Sequence, residues 1–364
     1  MAPSTAPFAV TAEGTTTVYF WSADAAGNGE TTGTATVRID RTAPVTTATV
    51  TPATWSASPA TVTLSATDAT SGVATTRYRI GTGSVTTYTA PFAVSAQGTT
   101  TVYFWSVDVA GNTESTKTAT AYVDSVAPTG TMLASGGAAY TATRTVTVDS
   151  AVTDLTGLQM RVDPGTGTFG GWFAYAASVT TQVPSGDGTK TVRAEYRDLA
   201  GNVTTLTDTI ILDTTTPSTL SDAPAGWSGT TVTVTLSRAD ALSGVAWTRY
   251  RIGSGTVTTY TVPFAVSSAG TTTVCFWSCD GVGNVEATQT ATVRIDRTAP
   301  STTHQVPSGW RPMSAVVTLT ASDSQAGVAS TWYRIGSGAA QPYASPFAVT
   351  DEGTVTVSYW SVDA

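Results

Sequence analysis

The chain has 364 residues, with 17 Lys and Arg against 25 Asp and Glu and a formal net charge of −8. Only 12% of its residues are charged and no basic stripe occurs, which excludes a protein that tracks nucleic-acid phosphates; no apolar run reaches the ~20 residues of a membrane helix. Thr, Ala, Gly, Val and Ser dominate in Thr-x-Thr-x alternation, which is β-forming composition and not the Lys/Glu/Pro-rich signature of disorder.

Residues 1–44 open with "MAPSTAPFAV", which lacks the basic and apolar regions of a signal peptide and aligns with "YTAPFAV" in the middle of a later unit. "TTTVYFWSADAAGN" and "TATVRID" follow as two strands around a turn, so 1–44 reads as the C-terminal strands of a partial unit. The chain is therefore expected to be a segment of a longer array. Residues 45–128 hold a full set of strands. "ATVTLSATD" puts Val62, Leu64 and Ala66 on one face, and "SGVATTRYRI" sets Tyr78 and Ile80 against Arg77 and Arg79. "PFAV" at 91–94 suits an edge strand because of its Pro. "TTVYFWSVD" and "TATAYVD" form a hairpin around "VAGN". Residues 129–217 are a divergent copy in which "PGTGTFGGWFAY" replaces the middle strands. Residues 218–300 return to the pattern, and 301–364 form a partial unit that lacks its last strand.

The period is plain from one turn. "WSVDVAGN" at 105–112 recurs as "WSADAAGN", "EYRDLAGN" and "WSCDGVGN", and a fifth start, "WSVDA", closes the sequence. Asp24 to Asp108 is 84 residues, Asp108 to Asp198 is 90, and Asp198 to Asp280 is 82. Solenoid repeats are far shorter, at ~20–50 residues, whereas a β-sandwich domain runs to about 100. Seven short strands per period predict an all-β tandem array of antiparallel sandwiches, and short "RTAP"-type links predict a monomeric rod. The Trp turn, D-x-x-S-G-V, Y-x-x-P-F and D-x-x-G-N followed by Glu resemble the bacterial immunoglobulin-like repeats of secreted and cell-surface proteins. That resemblance implies an Ig-like fold in an extracellular or cell-surface setting. It implies no activity, since such modules serve as spacers or adhesive surfaces.

No catalytic constellation is present: there is one histidine, His304, and no nucleophile elbow, phosphate loop or paired-Cys zinc motif. The chain is read as no enzyme. Cys275 and Cys279 lie roughly 13 Å apart along one strand, too far to bridge.

The repeated aspartates have two readings. As turn residues they accept loop N–H groups. As ligands they come in threes, because linker, B–C loop and F–G loop meet at one pole of such a sandwich. The sets are Asp40/Asp68/Asp108, Asp124/Asp154/Asp198, Asp213/Asp240/Asp280 and Asp296/Asp323/Asp363, each suited to Ca²⁺ with its 6–8 oxygens. No organic cofactor is implied. Glu114 and Glu286 follow the turn, but Val203 stands in the divergent copy.

Strand direction comes from "VRAEYRD", whose charged set must face water. By alignment Val102, Phe104 and Ser106 point in, while Tyr103, Trp105 and Val107 point out beside Arg77 and Arg79. Arg249, Arg251 and Trp277 repeat the arrangement, as do Trp332 and Arg334 with Trp360. This face is either an Arg–Trp ladder covering the sheet, a stacking platform for cell-surface glycans, or a contact with another surface protein. Trp55, Trp227 and Trp310 are expected as lids on the core. The expected function is a non-catalytic extracellular spacer; the competing one is a carbohydrate-binding or adhesive module using the Trp/Arg face.

Overall fold

The computed structural model describes residues 5–364, so the first four residues of the expected 1–44 unit lie outside the description. The protein is an all-β tandem array of Ig-like antiparallel sandwiches. By compactness the chain falls into two units. One comprises residues up to 137 with 145–184 and 190–209; the other comprises 138–144, 185–189 and 210–364.

In the first unit β1 (Gly14–Phe20) and β2 (Gly33–Ile39) pair as a hairpin. The residues that follow build a complete sandwich. β3 (Val45–Thr51), β4 (Ala60–Thr67) and β7 (Phe92–Val94) form one sheet, in the order β3-β4-β7. The second sheet contains β5 (Val73–Ile80), β6 (Thr86–Thr87), β8 (Gly98–Asp108) and β9 (Lys117–Val123), in the order β6-β5-β8-β9. Alternation along β4 and β8 buries Ala60, Val62, Leu64, Val102 and Phe104 between the sheets, with Val94, Ala121 and Val123. Ser106 is the next inward residue on β8 and is fully buried.

The Y-x-x-P-F motif has a physical reason. Phe92 stacks on Tyr78 at 3.8 Å between centroids, and Tyr88 meets both rings edge-on. Tyr250, Phe264 and Tyr260 form the same trio in the second unit, as do Tyr333, Phe347 and Tyr343. Such aromatic pairs add to the stability that burial provides. In the divergent copy, Thr129–Ala134, Thr145–Thr153 and Ser178–Gln182 form one sheet. Gln159–Asp163 pairs with Phe173–Ala174 on one side and with residues 193–197 on the other.

The tryptophans expected as lids on the core take other places: Trp55 and Trp227 lie beside a last strand, outside the core clusters. Trp55 packs on Tyr122 of β9 at 5.5 Å, and Trp227 pairs in parallel with Arg294. Trp310 is 85% exposed, in an irregular loop.

Candidate functional site

The linker that enters the first complete sandwich is held by two loops. Gly111 adopts φ 91°, which lets residues 108–112 close a tight turn. The Asp108 carboxylate spans this turn, accepting the Asn112 backbone N–H at 2.8 Å on Oδ1 and the Asn112 side-chain amide at 2.7 Å on Oδ2. That same amide donates to the backbone carbonyl of Asp40 at 3.1 Å, so one side chain clasps linker to loop. On the other side, Asp68 Oδ1 accepts the N–H groups of Thr70, Ser71 and Gly72 at 3.1, 3.0 and 2.7 Å. Ser71 N–H also donates to Asp40 Oδ2 at 2.9 Å. Hydrogen bonding from Ser71, against a smaller upward push from desolvation, holds the Asp40 carboxyl below the ordinary range.

The clasp recurs. Asn202 donates to Asp124 O at 2.7 Å and Asn284 to Asp213 O at 2.9 Å, while each side-chain amide also holds its loop aspartate, Asp198 or Asp280. Three groups therefore bring one carboxylate oxygen from each member within 4.8 Å of the others: Asp40/Asp68/Asp108, Asp124/Asp154/Asp198 and Asp213/Asp240/Asp280. Asp108, Asp124, Asp198, Asp213 and Asp280 are buried. Asp296 and Asp323 repeat the linker and loop contacts, but Asp363 does not complete a fourth group of this kind among the described residues. Chemically, each group can cap its loops or offer carboxylate oxygens to a hard cation.

Sequence reasoning missed a second polar site and the clasping role of the turn asparagines. Glu114, 8% exposed, turns inward. It accepts the Thr46 N–H at 3.0 Å, the Ser106 N–H at 2.9 Å and the Thr46 hydroxyl, and pairs with Lys117 at 3.0 Å. The Ser106 hydroxyl links those of Thr46 and Thr76 at 2.6 and 2.8 Å, which satisfies the buried polar groups at the sheet interface. Glu286, Thr219, Ser278 and Thr248 form the same cluster in the second unit. Counted from the turn Asn, the Glu114 place in the divergent copy is Thr204 and not Val203; Thr204 donates to Pro128 O at 2.5 Å. The signal lay in the sequence: in 45–128 and 218–300, but not in the divergent copy, a Glu stands two residues past the Gly-Asn of the turn and a Thr two residues past the linker Pro.

On the outer sheet face, Arg77 stands opposite Trp105 and Arg79 opposite Tyr103, with Arg249 opposite Trp277 and Arg251 opposite Cys275. The guanidinium groups cover other rings than the two tryptophans. Arg79 lies over Tyr103 at 4.2 Å and Arg249 over Trp247 at 4.3 Å. Trp105 and Trp277 are half-buried. Arg251 reaches the Cys275 sulfur at 3.9 Å, and both cysteines are free.

No family model matches the chain, and no curated protein matches it. Among solved structures it is similar to a tetra-tandem repeat in the extending region of a large adhesion protein, at 18% identity over 88% of this chain and 91% of that one, with a TM-score of 0.32. It is similar to a structure from a 1.5-MDa bacterial ice-binding adhesin, at 15% identity over 71% and 99%, with a TM-score of 0.31. It is also similar to fibronectin(III)-like modules of Clostridium thermocellum CbhA, at 9% identity over 45% and 94%, with a TM-score of 0.28. The fold assignment rests on the strand pairing described above. Among the described residues, no helix is long and apolar enough to cross a membrane.

Proposed function

We propose that this chain is a non-catalytic extracellular spacer, a run of Ig-like sandwiches from a bacterial surface or secreted protein that sets distance and carries other parts. The observation that supports it is the asparagine clasp. Asn112, Asn202 and Asn284 each tie an incoming linker to the turn of the sandwich it enters, so the link is held and does not trail as free chain. A spacer needs such restraint; a site that acts on a substrate does not.

Small-angle scattering of the full chain tests the reading. An elongated particle is expected, and the joint variant Asn112→Ala, Asn202→Ala, Asn284→Ala should increase its flexibility while each sandwich still melts cooperatively. A compact globule would end the proposal. Glycan capture gains no support from the half-buried Trp105 and Trp277. Titration with mono- and oligosaccharides should therefore leave tryptophan fluorescence unchanged.

A further inference from the structure

Three linkers share a contact that a fourth lacks. Asp40, Asp213 and Asp296 each present Oδ2 to a backbone N–H of the loop after the second strand: Ser71 at 2.9 Å, Ser243 at 2.9 Å and Ala326 at 2.8 Å. Each donor stands three residues beyond its loop aspartate, in the order Asp-x-x-Ser-Gly or Asp-x-x-Ala-Gly. The loop at Asp154 reads Asp-Leu-Thr-Gly-Leu, one residue shorter, and Gly157 falls where the donor would stand. One oxygen of Asp154 accepts the N–H and hydroxyl of Thr156.

The shortening leaves a carboxylate oxygen without a donor. Asp124 is 0% exposed. Its Oδ1 accepts the Gln97 side-chain amide at 2.5 Å and the Val126 N–H at 3.3 Å. Its Oδ2 is buried with no hydrogen-bond partner. By correspondence with the other linkers, this oxygen faces the loop that carries Asp154, and Asp124, Asp154 and Asp198 each bring an oxygen within 4.8 Å of the others. An unpaired buried carboxylate oxygen beside two more carboxylates is costly, through both desolvation and like-charge repulsion. A cation removes both costs at once.

We infer that the Asp124/Asp154/Asp198 junction binds a hard divalent cation of the calcium class, and that the first and third junctions do not. At those two the amide hydrogen of Ser71 or Ser243 occupies the place where an ion would meet the linker carboxylate. Asp198 keeps lone pairs for the ion, since each of its oxygens accepts a single hydrogen bond from Asn202.

Equilibrium dialysis of the chelator-stripped full chain against calcium chloride tests this. The titration should run to about 10 mM, above the 10⁻⁴–10⁻³ M range of weak extracellular sites. Saturation at one ion per chain is expected. Asp154→Asn should weaken binding at least tenfold, while Asp68→Asn and Asp240→Asn should leave it unchanged. Inserting Ser between Thr156 and Gly157 restores the longer loop and should abolish binding; its melting curve in chelator shows whether it folds. No bound calcium, three ions per chain, equal loss in Asp68→Asn, or an insertion variant that folds and still binds would each overturn the inference.

Discussion

Glu114 sits among donors at the interface of the two sheets, and its surroundings set two expectations. Thr46→Val keeps the shape of the side chain but removes a hydroxyl from a buried carboxylate. The sandwich should lose about 1.5–3 kcal/mol, the range for hydrogen bonds to charged groups, read as a lower denaturant midpoint; Thr219→Val should do the same in the second unit. The second expectation concerns acid. Burial alone would raise the Glu114 carboxyl, but the Thr46 hydroxyl and amide, with Lys117, overcome it and hold the group below its ordinary value of 4.5. A folded-state value below the unfolded one gives stability that is fully present above about pH 4.5 and is lost as pH falls through the folded value. The stability gap between the natural chain and Glu114→Gln should therefore shrink on acidification from about pH 6 to about pH 3. An unchanged gap would mean that Glu114 is not ionised in the fold. Strand alternation says nothing about a residue in a turn, so it does not give the inward Glu114; the only trace of the cluster is the recurring Glu past Gly-Asn together with the Thr past the linker Pro. Asp108 was legible as a turn residue, since the adjoining Gly111 announced the loop. That Asn112 would reach across to the linker depends on a pole geometry that only the assembled strands create.

Strands were the most readable level of organisation. Alternation groups Val62 with Leu64 in "ATVTLSATD" and Val102 with Phe104 in "TTVYFWSVD", the charged set of "VRAEYRD" gives the inward direction on β8, and all four residues are buried. The tryptophans before the second strand are where local sequence misleads. Trp55 meets Tyr122, which lies between the buried Ala121 and Val123 and so faces away from the core, and Trp310 is exposed. Turns give a sharper test. Gly111 has open space around a built Cβ, so Gly111→Ala should cost only backbone strain, about 1–2 kcal/mol. Gly281, the next residue after Asp280, is different: a Cβ there would lie 2.6 Å from the Ser243 carbonyl oxygen. Gly281→Ala should therefore displace the neighbouring loop, with a loss larger than that of Gly111→Ala in parallel thermal melts.

For the molecule as a whole, the relevant fact is that its apolar residues form separate clusters. One contains Val62, Leu64, Val102 and Phe104; another contains Val234, Leu236, Val274 and Phe276. Effects at sites that share no packing partners should add independently. Phe104→Ala should cost about 3–5 kcal/mol and lower one calorimetric transition, leaving the transition that belongs to residues 218–300 in place. If both transitions shift together, the sandwiches fold as one cooperative body. The repeat period, read from the recurring Asp-x-x-Gly-Asn turn, is what leads one to expect separate units from sequence.

The parallel contact beside the last strand of each complete sandwich has a mechanical consequence. Ser56 bridges Val123 in parallel, with Asp124 N–H donating to Ser56 O at 2.9 Å, and Trp227–Ser228 runs parallel to Arg294–Ile295. Pulling on the two ends of one sandwich drags its early and late strands in opposite directions along their own axes. Hydrogen bonds between parallel neighbours are then sheared together and not peeled one after another. Forced unfolding is governed by the unfolding barrier and not by equilibrium stability, so a domain of modest thermal stability can still hold under load. Single-molecule stretching should find that replacing Ser56 with Pro lowers the rupture force of that sandwich more than its melting temperature would suggest.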